Sequence, residues 1–288
     1  MKAPERTLVI AGAGRVATAV AVLLQRGGFE VVAVASRTED TARRASERLG
    51  APYTSLDELP ASGIVLIGAP DSGIPEIAAR IARGLRPDSV LWHLSGALGT
   101  SALAAAPRAL PAALHPVQAC PDVDAAVANL PGSVWGVTCH DRLRRWAHEV
   151  VTGPLEGRAV DVAEGDRPLW HAAAVTTANG IAAMLAAGEA MLAAIDIVDP
   201  SAVLAPLAQG AVRNARAGGG GAATLTGPVV RGEYDAIARH LDHLRADAPG
   251  LLASYVGVAR MVVEGARRAG RIDGAVEKTM TKLLDDAQ

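Results

Sequence analysis

Lysine is nearly absent. Lys2, Lys278 and Lys282 are the only three in 288 residues, so arginine carries almost all the positive charge through the centre of the chain. Central chemistry that needs a cationic proton donor therefore falls to histidine. Cysteine is scarcer still: Cys120 and Cys139 stand apart, with no CxxC or other metal-like spacing. That argues against a disulfide framework or a structural zinc site and fits a reducing compartment. Neither charge is in excess, since 28 Lys and Arg against 30 Asp and Glu leave a formal charge of −2. A general basic surface for nucleic acid or an acidic membrane is thus missing. No apolar run reaches the length of a membrane span without a charge or glycine, and no signal peptide precedes residue 7. The expectation is a cytoplasmic protein that acts on a small-molecule substrate, with no nucleic acid, membrane or metal as partner.

What is present points to two domains. Half the residues are hydrophobic, enough for sizeable cores. Residues 7–11, "TLVIA", read as a strand buried on both faces, and "GAGRVATAVAVLLQRGG" follows as glycine turn and helix. Gly12 permits the tight turn, Gly14 lets backbone approach a pyrophosphate, and Ala17 takes the small position where helix packs on strand. Arg15 and Val16, between them, open the helix and join the cofactor-binding set. The second strand, "FEVVAVASRT", ends in Ser36, Arg37 and Thr38 and lacks the Asp or Glu that would accept hydrogen bonds from an adenine ribose. A guanidinium and hydroxyls suit a ribose 2′-phosphate, so NADP(H) is favoured over NAD(H). The plainer alternative makes Arg37 a solvated residue ahead of the helix "EDTARRASERLG".

The βα alternation continues. "GIVLIGAPDSGIPEIAARIARGL" places Ala69 and Pro70 in the loop after a buried strand, on the cofactor side. "SVLWHLSGALG" and "AALHPVQAC" are strands whose ends carry His93, Ser95 and His115, where an open parallel sheet binds its ligands. "SVWGVTCH" and "GRAVDVA" supply the last strands, around the helix "DRLRRWAHEVVTG". The first domain is read as residues 1–164.

From Asp166 onward strand signals stop, and residues 165–288 read as helical. Asp166 is the candidate N-cap of a helix with Pro168 in its first turn, running to about Ile195. Further helices are expected over 201–216, after "LTGPVVRGEYD", over 251–268 and over 274–284. "AGGGGAA" is a flexible break, because no strand precedes it and no lysine follows. In "WHAAAVTTANG" His171, Val175 and Asn179 fall four residues apart, with Thr176 beside them, along one side of an otherwise apolar helix. His240 and His243 are one turn apart but lack a third metal ligand.

"GAGRVATAV", "HLSGALG", "LHPVQACPD", "WHAAAVTTANG" and "LTGPVVRGEYDAIARHL" together resemble the linked signatures of Rossmann-like proteins whose C-terminal part is domain of unknown function 2520. The resemblance covers nearly the whole chain in order. More distantly, the plan is similar to the ketopantoate reductase, pyrroline-5-carboxylate reductase, prephenate dehydrogenase and 3-hydroxyisobutyrate dehydrogenase groups. It implies an α/β fold with an N-terminal Rossmann-type, mostly parallel sheet, then an all-α C-terminal domain like that of 6-phosphogluconate dehydrogenase. It also implies an NAD(P)-dependent oxidoreductase working in an interdomain cleft, and a homodimer formed through the helical domain.

One departure from those relatives matters. Ketopantoate reductase and the hydroxyacid dehydrogenases use a lysine with asparagine four residues later; Asn179 matches the asparagine, but Val175 stands where the lysine would be. His171, one turn back, is then the candidate proton donor, because an imidazole changes charge near neutral pH. His115, in "LHP", competes with it, since prephenate dehydrogenases place a histidine before proline. Asn179 would orient the substrate, with Thr176 beside it. Ser95 would bond the nicotinamide or the substrate, or else cap a turn, and His93 would touch substrate or close its strand. Arg231 would pair with a substrate carboxylate, or with Glu233 or Asp235. The expected reaction reduces a small keto acid, carbonyl or imine. Kept beside it are a prephenate-dehydrogenase-like or deazaflavin-dependent enzyme and a non-catalytic NADP(H)-binding sensor or assembly partner.

Overall fold

The computed structural model describes residues 5–287. Its apolar runs become strands and its amphipathic segments become the helices that cover them. In chain order the first part contains β1 (Thr7–Ala11), α1 (Arg15–Arg26), β2 (Glu30–Ala35), α2 (Glu39–Leu49), β3 (Ile64–Ile67), α3 (Ile74–Ile81), β4 (Val90–His93), β5 (Leu110–Pro116), α4 (Val123–Asn129), β6 (Val134–Cys139), α5 (Arg144–Thr152) and β7 (Arg158–Asp161). The strands form one sheet in the order β2-β1-β3-β4-β5-β6-β7. Neighbours are parallel except β5 and β6, which pair antiparallel with His115 opposite Gly136. β3 and β4 are buried along their whole length, as strands covered on both faces must be.

Side chains alternate across the sheet and feed two cores. Leu8, Ile10, Leu66, Trp92 and Leu114 pack beneath α1, α4 and α5. Val9, Ala11, Val65, Ile67 and Leu91 pack on the other face with Ile74, Ala78 and Ile81 of α3. The short α4 was not legible in the sequence. It begins where the Asp122 carboxylate accepts the Ala125 N–H at 2.8 Å, and Ala126 and Val127 are its buried residues.

The chain forms two compact units that divide between Thr176 and Thr177, within α6 (Arg167–Ala193). The second unit continues with α7 (Pro200–Ala217), α8 (Pro228–Arg231), α9 (Tyr234–Asp247), α10 (Leu252–Arg268) and α11 (Gly274–Asp285). Its core joins Val229, Ile237, Leu241, Val256, Val263, Met280 and Leu284 from α8 to α11. By contrast, α7 buries no residue, and α6 buries only Arg167. Leu207 is 70% exposed, Ile195 60% and Val203 53%, which leaves apolar surface without cover in the chain itself. The segment Glu164–Ala193 is long and apolar enough to cross a membrane by length and composition. Its first turns, however, are bonded to the β-sheet, as described next.

Candidate active site at the carboxyl edge of the sheet

The strand order reverses beside β1, which lies between β2 and β3, and such a switch point opens a crevice at the carboxyl ends of the strands. Backbone alone builds its floor. The Gly12 N–H donates to the Ala35 carbonyl at 2.7 Å, and the Gly68 N–H to Ala11 at 3.2 Å. Gly12 has φ +101°, and a Cβ there would lie 2.8 Å from the Gly68 carbonyl oxygen, so glycine is required twice over. Gly14 precedes α1 without any side-chain cap, so the first N–H groups of the helix lack side-chain acceptors. Ala17 is buried with its methyl beside Gly68, where any larger pair would part helix from strand.

Above this floor is a cleft of 400 Å³ lined by residues 14–17, 68–71 and 94–96, with His115, Pro116, Gln118, Cys120 and His171. Every one of these belongs to the first unit. Arg15, Val16, Ala17, Ala69, Pro70 and Ser95 thus meet on it, as does Asp71, which the sequence did not single out. The Arg15 guanidinium donates to the Pro121 carbonyl at 2.5 Å. Ser36 is half-buried at the end of β2, whereas Arg37 and Thr38 are exposed. Arg43 and Arg44 are paired with Glu39 and Asp40, but Arg37 enters no ion pair among the described residues. Its charge is uncommitted.

The histidines divide sharply. His93 is fully buried, its Nδ1 accepting the Ser95 N–H at 3.2 Å and its Nε2 lying 2.9 Å from the Gly99 carbonyl. With both nitrogens used inside its own loop, His93 closes a turn and does not line the cleft, which corrects the expectation of a substrate contact. Burial, with the nearby Arg167 charge, lowers its pKa to about 4 against the opposing Gly99 bond. Ser95 does line the cleft, but its Oγ accepts the Ala97 and Leu98 N–H groups at 3.2 and 3.0 Å, the turn-capping alternative for this residue.

His115 and His171 are neighbours on the cleft. Their rings meet edge to face at 86° with centroids 5.6 Å apart. His115 Nδ1 accepts the indole N–H of Trp170 at 3.1 Å. Burial, then the charges of Arg167 and His171, push His115 down to about 4, with Asp71 opposing. His171 is half-buried and forms no hydrogen bond among the described residues, so its nitrogens are open to the cleft that it lines.

What holds this pair was not anticipated. Arg167 is fully buried at the start of α6 and forms no ion pair among the described residues. Its NH1 donates to Thr138 Oγ1 at 3.0 Å and to the Ala113 carbonyl at 3.3 Å, and its NH2 donates to the Ser95 carbonyl. Burial lowers its pKa to about 10, so it stays charged at neutral pH. Just upstream, the Glu164 carboxylate accepts the N–H groups of Thr100 (2.9 Å) and Ser101 (3.0 Å) and the Thr100 hydroxyl (2.9 Å). Sequence clues for these residues were slight: an arginine at the mouth of an apolar helix, and glycines 96 and 136 in strand-end segments. Thr176 and Asn179 are exposed further along α6. Arg231 lies in the second unit, where its Nε and NH2 reach the two Glu233 oxygens at 2.6 and 3.0 Å. The plainer alternative for Arg231, an ion pair at the surface, is what the structure contains.

Comparison with known proteins fits this geometry. Residues 1–116 match the model of the Rossmann-like domain, and residues 133–262 match that of a domain of unknown function, DUF2520. The chain couples a Rossmann-like domain to a DUF2520 domain. His115 stands at the end of the first match, while Gly136, Trp170 and His171 fall in the DUF2520 match, so both contribute to the cleft. Among solved structures, a candidate NADP oxidoreductase from Bacteroides fragilis is 25% identical, with TM-score 0.76, over 90% of this chain and 98% of that one. A Thermotoga maritima protein is 20% identical with TM-score 0.70, over 91% and 99% of the two chains. Pyrroline-5-carboxylate reductase from Coxiella burnetii shares the fold at 13% identity and TM-score 0.55, over 99% and 97%. No curated protein sequence matches the chain.

The buried guanidinium has a measurable effect on its neighbours. In Arg167→Met, the positive charge that disfavours a second positive charge on His115 is gone, so the His115 titration midpoint rises from about 4 toward the ordinary histidine range. An NMR titration of the histidine ring protons reads this directly. An unchanged midpoint would show that burial alone keeps the ring neutral.

Proposed function

We propose that the chain is an NADP(H)-dependent oxidoreductase that reduces a small keto acid, carbonyl compound or imine. The observation that carries this reading is that a backbone glycine cradle and a free histidine open into one cleft at the switch point of the sheet. The cradle fits a dinucleotide: side chains are excluded at Gly12, and the N–H groups opening α1 suit a pyrophosphate. A bound nicotinamide supplies the hydride. The uncommitted Arg37, with Ser36 and Thr38, suits a 2′-phosphate, and the candidate NADP oxidoreductase from Bacteroides agrees in cofactor. His171 gives the proton to the oxygen or nitrogen of the substrate as its carbon is reduced, and takes one up in the reverse direction. His115, beside it, is kept neutral and holds the substrate atom that receives the proton.

The uncovered apolar faces of α6 and α7 support a homodimer through the helical part. A second copy offers the same apolar surface, which a two-fold interface can pair with itself. Sedimentation at micromolar concentration is expected to give the mass of two chains, and Leu207→Glu to shift it toward one. A wild-type monomer would overturn the dimer.

Calorimetric titration of the purified protein tests the cofactor reading. NADPH is expected to bind well and NADH weakly, and Arg37→Ala to cost NADPH about tenfold in affinity while sparing NADH. His171→Ala is expected to lower turnover about 100- to 10,000-fold while leaving NADPH affinity within about twofold. Normal function with His171→Ala would favour a non-catalytic NADP(H) sensor, and binding of neither nucleotide would remove the cofactor.

A further inference from the structure

We propose that Trp170 is a positioning residue that locks His115 in the tautomer carrying its proton on Nε2. His115 then meets the substrate as a fixed hydrogen-bond donor while His171 moves the proton. The indole N–H can only donate. At 3.1 Å from His115 Nδ1 it therefore requires a lone pair on that atom, and a neutral ring with a lone pair on Nδ1 carries its hydrogen on Nε2.

Two glycines make the arrangement possible. Gly136 is the cross-strand partner of His115 on β6. A Cβ at Gly136 would lie 2.7 Å from the indole of Trp170, so only glycine lets the ring reach over the strand to Nδ1. On the other side, a Cβ at Gly96 would lie 2.8 Å from His115 Nε2. The same Cβ would lie 2.4 Å from the His171 ring, so only glycine lets both imidazoles pack against this segment, and Gly96, His115 and His171 all line the cleft.

The charged and titratable groups around the ring act together. Arg167 and His171, both on α6, disfavour a charge on His115, and Asp71, following β3, favours one. Burial adds to the first pair, and the net effect is a neutral ring at neutral pH. A neutral donor polarises a C=O or C=N bond without giving up its proton. That leaves the transfer itself to His171, whose nitrogens no protein group occupies among the described residues.

The inference rests on the reductase reading only for what the donor acts upon. The tautomer is read without cofactor or turnover. In the ¹⁵N-labelled full-length protein at pH 7, long-range proton–nitrogen correlation spectra are expected to show His115 with a pyridine-like Nδ1 and a pyrrole-like Nε2, assigned through His115→Gln. In Trp170→Phe the ratio of the Nε2–H to the Nδ1–H form is expected to fall about fivefold, the effect of one lost hydrogen bond. A proton on Nδ1, a charged ring, or the same ratio in Trp170→Phe would overturn the proposal. Should that variant not fold, a nitrogen–nitrogen coupling through the hydrogen bond from Trp170 Nε1 to His115 Nδ1 in the wild-type protein decides, and its absence would overturn the proposal. A protein with the expected tautomer that binds no NADPH would overturn the reductase reading and leave the role of Trp170 standing.

Discussion

A buried guanidinium that forms no ion pair among the described residues, with Glu164 and Asp71 as the nearby negative charges, is the constraint on which the rest of the site depends. Arg167 binds the middle of β5 through Ala113, β6 near its end through Thr138 and the loop after β4 through Ser95. Removing an ion from water costs several kcal/mol. Three hydrogen bonds from a charged donor, at about 1.5 to 3 kcal/mol each, are of the size needed to offset that. The geometry they impose is specific, because the first turn of α6 must meet β5, β6 and the loop after β4 at once. Trp170 and His171 follow within the next turn, which sets the indole on His115 and His171 on the cleft. Glu164 reinforces the placement by gripping the backbone at Thr100 and Ser101.

The proposed chemistry divides the labour among these groups. The glycine floor offers backbone and no side chains, which suits the phosphates of a dinucleotide. The two histidines are adjacent but unlike: His115 is bonded through Nδ1 and held neutral, and His171 is unbonded. Two identical residues can serve as fixed donor and mobile proton carrier when their surroundings differ in this way. The scarcity of lysine in the sequence thus has a counterpart in the site, where histidine stands in the cleft and the cation buried beside it is an arginine.

Much of the fold was legible because its signals are local. The apolar runs at 7–11, 64–67 and 90–93 are strands, the glycine turn at 12–14 opens a helix, and the helical limits at 167–193, 200–217, 252–268 and 274–285 lie close to those expected. The reversal of β6 against β5 and the short α4 were not legible, since neither alters composition or periodicity. The site was legible in part. His115, His171, Ser95 and the glycine cradle meet on one cleft, whereas His93 is spent on its own turn and Arg231 on Glu233. Arg167, Trp170, Gly96 and Gly136 escaped notice because their roles arise from pairings between distant segments, and a single sequence does not display which strands become neighbours.

The most direct test of the central claim is to follow the ring signals of all seven histidines while NADPH is added to the purified protein. If the cleft at the switch point holds the nicotinamide, the His115 and His171 signals shift and saturate together. Those of His140, His148, His240 and His243, which are absent from the cleft lining, stay in place. Binding that leaves His115 and His171 unmoved would contradict the placement of the reaction beside this pair.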